Sequence, residues 1–384
     1  MMLLAPPPQL DLWEPPAPQE LPALPPPPFE ENDNAIADMG AEDEFEAGAP
    51  DRSVALFGYD LFGEIVNQRV NSVLGRRFLL PPFSVLSARE GWWQDRKRAW
   101  LSMGLRSEIG RDELLTFSQS AQPPAVYEAK NLYQANVGRV ASWDEFYAAN
   151  PDVMTQRGTS VFDPVLCELA YRWFCPPAGL VLDPFAGGSV RGIVAAMLGR
   201  RYCGIDLSGA QLEANRAQAA LIVPEAIPDW RCGDSRNLLP GTPEANFIFS
   251  CPPYGDLEVY SDDPADLSTM DFERFRDAYF EIIGKACMRL RADSFAAWVV
   301  GDYRDENGAL SNLPGMTIEA FRDAGLSLYN EAVLVTAVGS LPIRVSRQFS
   351  GSRKLGKTHQ NLYVFLKGDA RRAAAACEQA AACE

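Results

Sequence analysis

Val181-Leu182-Asp183-Pro184-Phe185-Ala186-Gly187-Gly188-Ser189 carries an apolar strand into a glycine turn, and the helical pattern Val190–Leu198 follows directly. Gly187 and Gly188 permit a tight turn and a close backbone approach. The helix start then offers free N–H groups and a positive dipole end to a ligand. The next apolar strand, Tyr202–Asp206, ends in an acid placed to accept hydrogen bonds from ribose hydroxyls. Strand, glycine turn, helix and acid-tipped strand together describe a site for a nucleotide-like cofactor in an α/β fold.

Working outward, strands are expected at Leu180–Asp183, Tyr202–Asp206, Trp230–Cys232, Phe247–Ser250, Phe295–Val300, Leu328–Val338 and Asn361–Leu366. Helices are expected between them at Val190–Leu198, Gly209–Ala220, Phe272–Leu290 and Ile318–Ala324. Such alternation builds a mostly parallel sheet. Phe272, Phe275, Tyr279, Ile282 and Ile283 recur near the helical period, so that face should pack on the sheet. The last two strands are expected to follow each other without a helix, across an Arg/Lys-rich loop, so the sheet should end in an antiparallel hairpin.

A second strand end is equally specific: Phe249-Ser250-Cys251-Pro252-Pro253-Tyr254. Two consecutive prolines fix the backbone and lack N–H donors, which leaves carbonyls free to accept. Alone, Pro252-Pro253-Tyr254 could be a turn that ends a strand. Beside a cofactor turn, it can clamp a flat ring that carries an amino group. The lone pair of such an amine is delocalised into its ring, so acceptors must bind its hydrogens while the nitrogen rehybridises. Cys251 is a weak acceptor, so Ser250 or the Pro252 carbonyl should carry that contact.

A nicotinamide dinucleotide competes for the glycine turn. Its fingerprint needs glycine at position 189, where this chain has Ser189; only Gly187 and Gly192 fit. Asp183 at the strand end would also repel a pyrophosphate, whereas it suits an ammonium. S-adenosylmethionine is therefore the expected cofactor.

Taken together, the two motifs resemble those of the DNA amino-methyltransferases, which methylate adenine-N6 or cytosine-N4. The resemblance covers most of residues 55–368 and extends to phage-encoded DNA methylases. It implies a Rossmann-like S-adenosylmethionine-dependent methyltransferase fold, mostly parallel with a terminal antiparallel hairpin. It further implies that Asp183 lies near the methionine, Phe185 near the target, and Gly187, Gly188, Ser189 and Asp206 around the cofactor. Gly233-Asp234-Ser235 is similar to the segment whose acid meets the adenine amino group. Thr159-Ser160-Val161-Phe162-Asp163-Pro164 is similar to the element that lines the methionine pocket. The Pro252 carbonyl would accept from the target amine, and Tyr254 would stack on a base flipped from double-stranded DNA.

Two departures stand out: Gly-Gly-Ser in place of the commoner Gly-Ser-Gly, and Cys251 where the family usually has Asp, Asn or Ser. A nucleophilic cysteine would suggest cytosine-C5 methylation, but there the cysteine follows the proline. Adenine-N6 is taken ahead of cytosine-N4. The alternatives are methylation of an RNA base or a protein glutamine, and a catalytically idle DNA-binding protein on the same scaffold.

Composition bounds the rest. The net charge of −16 is concentrated in residues 1–50, which hold 11 Asp/Glu, no Lys or Arg, and 12 of the 30 prolines. That segment should be a disordered tail. There is no Cys-x-x-Cys pair among the eight cysteines, and His359 is the single histidine, so zinc chemistry is not expected. No apolar run is long enough to span a membrane, and a reduced cytoplasmic protein is expected, in a bacterial host if the chain is phage-encoded. Residues 54–150 should form an accessory segment with a possible role in DNA recognition, residues 159–368 the catalytic domain, and residues 369–384 an Ala-rich tail that is a frayed helix or disordered. Arg344, Arg347, Arg353, Lys354 and Lys357 in the last loop should meet DNA phosphates. Gln94–Trp100 could form a helix with a basic face, its tryptophans belonging to a core.

Overall fold

The computed structural model describes residues 78–106, 124–150, 162–254, 261, 263–305, 307–336, 338 and 341–378. The expected acidic tail, residues 54–77 and 107–123 of the accessory segment, and residues 159–161 lie outside the described residues.

The chain enters through β1 (Val85–Ser87) and α1 (Gly91–Ser102), followed by α2 (Pro124–Val137) and α3 (Trp143–Ala149). The alternating region then runs α4 (Pro164–Phe174), β2 (Leu180–Asp183), α5 (Val190–Met197), β3 (Arg201–Asp206), α6 (Gly209–Ile222) and β4 (Asp229–Cys232). It continues with α7 (Ser235–Leu238), β5 (Ala245–Ser250), α8 (Phe272–Arg289), β6 (Leu290–Val300) and α9 (Leu313–Asp323). Last come β7 (Ser327–Val335), α10 (Leu341–Ser352), β8 (His359–Lys367) and α11 (Ala370–Glu378).

All eight strands form one sheet in the order β1-β7-β8-β6-β5-β2-β3-β4. β8 runs antiparallel to both β6 and β7, and the other pairings are parallel. The expected parallel sheet with an antiparallel end is thus present. The chain order reverses at β2, which lies between β3 and β5. At such a reversal the connections leave on opposite faces, and a crevice opens beyond the strand C-termini.

Residues alternate between the two faces with the period of an extended chain. Phe247 and Phe249 of β5 point into one core with Tyr171 and Val194, and Ile248 points into the other with Ile282 and Ile283. β6 does the same with Phe295, Ala297 and Val299 on the first face and Ala296, Trp298 and Val300 on the second. Helix α8 covers the second face through Phe275, Tyr279, Ile282 and Ile283, as its spacing predicts. Phe272 departs from the prediction: it opens the helix and is 47% exposed. At the other end, α8 passes directly into β6, which starts five residues before the expected Phe295.

Three further differences from the sequence reading bear on function. First, β1 is part of the main sheet, pairing in parallel with β7 from Val85–Val333 to Ser87–Val335. Second, α1 is a helix as expected, but its basic residues are already engaged. Arg96 is 2% exposed and clamps the fully buried Glu168 through Nε at 2.7 Å and Nη2 at 2.5 Å. Lys97 lies 3.3 Å from Asp163, and Arg98 pairs with Asp95. Trp93 and Trp100 are fully buried in the first core, so the tryptophans are core residues. Third, the segment between β7 and β8 contains helix α10, where a loop was expected. At the Ala-rich end the helical alternative is the one present: α11 buries Ala373 in the first core.

Burial pushes the Glu168 carboxyl up, but Arg96, with Arg172 and the Trp100 indole, more than offsets this and holds it below its ordinary value. A depressed carboxyl contributes stability above its unfolded-state pKa and loses it as pH falls through the folded-state value. Glu168→Gln should lower the unfolding free energy near neutral pH by about 3–5 kcal/mol, because it leaves Arg96 uncompensated. Denaturant unfolding should also show a shallower acid dependence in the variant than in the parent.

Candidate active site

The crevice at the chain reversal is bounded by the C-terminal ends of β2, β3 and β5, where the glycine turn, Asp206 and Pro252-Pro253-Tyr254 lie. Gly187 has φ +52°, a left-handed conformation that favours glycine. Asp206 Oδ2 accepts from the Gly187 N–H at 2.8 Å, and its Oδ1 accepts from the Ser208 N–H at 2.9 Å. Asn215 of α6 donates to the Gly187 carbonyl at 2.8 Å. The turn is therefore held from two sides by polar groups of β3 and α6. Helix α5 then packs close to the sheet: a Cβ on Gly192 would stand 2.6 Å from the Trp230 ring.

Beneath the turn lies a buried ionic network. Asp183 is fully buried. Its Oδ1 accepts from the Phe185 N–H at 3.1 Å and from Ser250 Oγ at 2.5 Å. Its Oδ2 accepts from Arg191 Nε at 2.5 Å and from the Tyr202 hydroxyl at 2.7 Å. Arg191, 5% exposed, also donates through Nη2 to the carbonyls of Phe185 and Ala186. Its guanidinium lies 4.6 Å from the centre of the Phe162 ring. Burial opposes the Arg191 charge, but the Asp183 carboxylate overcomes this and raises the guanidinium pKa above its ordinary value. Burial, and then Asp183, push the Tyr202 phenol well above its ordinary value, which keeps it a donor.

This network engages several of the expected site residues within the protein itself. Asp183 accepts from four protein donors, about the full complement of a carboxylate. Ser250 is fully buried and donates to Asp183, so its hydroxyl faces the scaffold. Ser189 is 1% exposed and donates to Gln218 Oε1 at 2.5 Å, facing α6 and not the crevice. Ser235 donates to the Pro184 carbonyl at 2.6 Å and so ties the end of β4 to the turn. Asp234 caps α7 through the Arg236 N–H at 2.8 Å and is ion-paired with the Arg236 side chain at 2.8 Å. Gly188 and Phe185 stay partly exposed beside the crevice, and the Phe185 ring meets Trp298 edge-on at 5.9 Å.

At the end of β5, Pro252 is buried, while Cys251, Pro253 and Tyr254 are partly exposed. The Tyr254 hydroxyl accepts from Gln360 Nε2 of β8 at 3.0 Å and lies 3.5 Å from Cys251 Sγ. A Cβ on Gly301 would stand 3.6 Å from the Tyr254 ring, so the end of β6 passes close to it. Tyr254 is thus oriented by groups of β5, β6 and β8. The basic residues lie on the β7–β8 connection. Arg347 is exposed on α10, whereas Arg344 is placed on α10 by its backbone alone. Arg353 follows at φ +56° with its guanidinium 5.2 Å from the Phe349 ring. Lys354 reaches Gly308, and Lys357 donates to the Asp302 carbonyl at 3.3 Å.

Sequence reasoning missed Arg191, Tyr202, Arg236 and Gln360. Arg191 did leave a trace, as the single charge in the apolar helix Val190-Arg191-Gly192-Ile193-Val194-Ala195-Ala196-Met197. The other three carry no signal apart from their spatial partners.

A mostly parallel sheet with this reversal and an inserted antiparallel last strand is the Rossmann-like methyltransferase fold. No protein-family model matches the sequence, and no curated protein matches it. Among solved structures, TrmN from Thermus thermophilus aligns at 20% identity and TM-score 0.36 over 53% of this chain and 48% of its own. This chain therefore spans about half of that protein. A TehB-like SAM-dependent methyltransferase from Corynebacterium glutamicum aligns at 15% identity and TM-score 0.34, over 63% of this chain and 99% of that one. A methyltransferase from Pyrococcus furiosus aligns at 14% identity and TM-score 0.37, over 64% of this chain and 100% of that one. Strand order, not these alignments, defines the fold. Among the described residues no group of His, Cys, Asp and Glu is arranged to hold a metal, and no helix is long and apolar enough to cross a membrane.

The inward Ser250 separates two roles experimentally. If its hydroxyl serves Asp183, Ser250→Ala should destabilise the protein by about 1.5–3 kcal/mol, the usual cost of losing a hydrogen bond to a charged group. Thermal unfolding reads this directly, and an unchanged midpoint would instead leave Ser250 free for the substrate.

Proposed function

We propose that this chain is an S-adenosylmethionine-dependent methyltransferase acting on the exocyclic amine of a base in DNA, adenine-N6 ahead of cytosine-N4. The observation that carries the reading is the Ser250–Asp183 hydrogen bond of 2.5 Å, which locks the ends of β2 and β5 together. It brings a turn suited to the cofactor beside a Pro-Pro-Tyr suited to a planar amine. The donor set fits the cofactor: a left-handed glycine, a partly exposed Asp206 at the β3 end for ribose hydroxyls, and the N-terminus of α5 at the opposite side of the turn.

When bound, S-adenosylmethionine supplies an electrophilic methyl group on its sulfonium. The protein's part is positioning. Asp206 and the Gly187 backbone orient the nucleoside end. Pro252 carries a carbonyl that accepts one amine hydrogen, and the fixed backbone of Pro252 and Pro253 keeps that acceptor aimed while the nitrogen rehybridises. Tyr254, its hydroxyl held by Gln360, offers a ring face to the flipped base, and Phe185 closes the crevice from the side of the turn. Arg347, Arg353, Lys354 and Lys357 on the β7–β8 connection serve DNA phosphates, which position a duplex without reading its sequence.

Incubation of unmethylated DNA with the protein and isotope-labelled S-adenosylmethionine, followed by nucleoside mass spectrometry, should yield labelled N6-methyladenine. Labelled N4-methylcytosine would move the target base, and a label in neither nucleoside would overturn the DNA reading. Tyr254→Ala should lower kcat/KM by about 5- to 150-fold, the equivalent of a lost base–aromatic stack. Tyr254→Phe keeps the ring and should retain most of the activity in the same assay.

A further inference from the structure

Lys357 differs from the other basic residues of the β7–β8 connection in what it borders. β6 runs parallel to β5, with Ser250 opposite Trp298, so Gly301 and Tyr254 emerge at the same end of the sheet. β8 is antiparallel and begins at that end, with Asn361 opposite Val300. A Cβ on Gly301 would stand 3.6 Å and 3.8 Å from two carbons of the Tyr254 ring, and 3.7 Å from Lys357 Nζ. Ring and ammonium therefore border one small volume, which the bare backbone of Gly301 leaves open. Lys357 is exposed, yet desolvation still lowers the pKa of its ammonium, against the opposing charge of Asp302. Among the described residues it makes one hydrogen bond, to the Asp302 carbonyl at 3.3 Å, and no ion pair. The Asp302 carboxylate accepts instead from Ser311 Oγ at 2.8 Å and from the Leu313 N–H at 3.3 Å. Arg96, Arg191, Arg236, Lys285 and Arg372, by contrast, are all paired with carboxylates.

Resting on the DNA-methylation reading above, we propose that Lys357 holds the phosphate of the flipped nucleotide itself, while the base of that nucleotide lies on Tyr254. An ammonium without a carboxylate partner calls for an anion, and lysine meets phosphate as a point charge. A neutral acceptor on the base would leave that charge uncompensated. The phosphate of a nucleotide lies one sugar away from its base, so a base on the ring carries its phosphate toward the neighbouring ammonium. The backbone that bears Lys357 is fixed on both flanks. Leu341 of α10 packs against Gly356, where a Cβ would stand 2.8 Å from its side chain, and the Thr336 N–H donates to the Thr358 carbonyl at 2.9 Å. Less freedom is then lost on binding. Such a contact forms only once the nucleotide has left the stack, so it favours the flipped state over the loosely bound duplex.

Methyl transfer from labelled S-adenosylmethionine to unmethylated DNA, read by nucleoside mass spectrometry, tests this beside cofactor-free duplex binding at several salt concentrations. Lys357→Met should lower kcat/KM by about 10- to 150-fold, the range for one charge-assisted hydrogen bond. Its duplex affinity and salt slope should stay those of the parent, and Lys357→Arg should restore most of the turnover. Arg347→Met, which removes an exposed cation of α10, should instead weaken duplex binding and reduce the salt slope by about one. Parallel losses of affinity and turnover in Lys357→Met would make Lys357 a general phosphate contact and overturn the assignment. So would unchanged turnover, or a changed ratio of N6-methyladenine to N4-methylcytosine, which would mark a contact with the base. In each of these cases the parent still labels DNA, and the DNA reading stands. No labelled nucleoside from the parent would overturn that reading and the assignment with it.

Discussion

Asp183 is the constraint on which the site depends. An ionised carboxylate with no exposure is tolerable only if its charge is paired and its lone pairs are filled. Its donors come from four places: its own turn, the start of α5, the neighbouring strand β3 and the end of β5. Because β2 lies between β3 and β5, these bonds join three neighbouring strands and a helix at the point where the chain order reverses. The Phe185 and Ala186 carbonyls, held by Arg191, extend the lock into the turn itself. Neither the glycine turn nor the Pro-Pro-Tyr end can shift without breaking a charge-assisted hydrogen bond in a dry interior, where such bonds are strongest.

Much of the fold was legible in the sequence because it is written in local periodicities. β2, β5 and α8 have alternating or helical apolar patterns that agree with their final burial, and their boundaries shift only by a residue or two. β1 was hidden for the opposite reason. Three residues, Val85-Leu86-Ser87, cannot display a period, and they become a strand only because β7 supplies a partner from the far end of the chain. Helix α10 was missed although Leu341, Val345 and Phe349 recur at the helical spacing, because the segment was read by its Arg and Lys residues as a basic loop.

At the site, residue types were legible and their partners were not. Acids at strand ends can be recognised from sequence, but whether they face a ligand or a neighbouring cation depends on packing. Asp183 and Asp234 both acquire an arginine within the protein, Arg191 and Arg236, while Asp206 is bound by backbone N–H groups. The hydroxyls behave alike: Ser189, Ser235 and Ser250 all fasten one segment to another. The polar residues around the crevice thus divide between holding the scaffold and facing outward, and a linear motif does not separate the two.

The pairing of β1 with β7 reaches beyond the static sheet. Val85 and Val333 meet across about 250 residues, so their contact is among the least local in the chain, and pairings of this kind form slowly because loop closure must precede them. During synthesis, Trp93 and Trp100 leave the ribosome long before the strands they will cover exist, and a nascent chain at that stage displays indole surface that the finished protein hides. A segment made well before its partner strand is thus among the last to find its place.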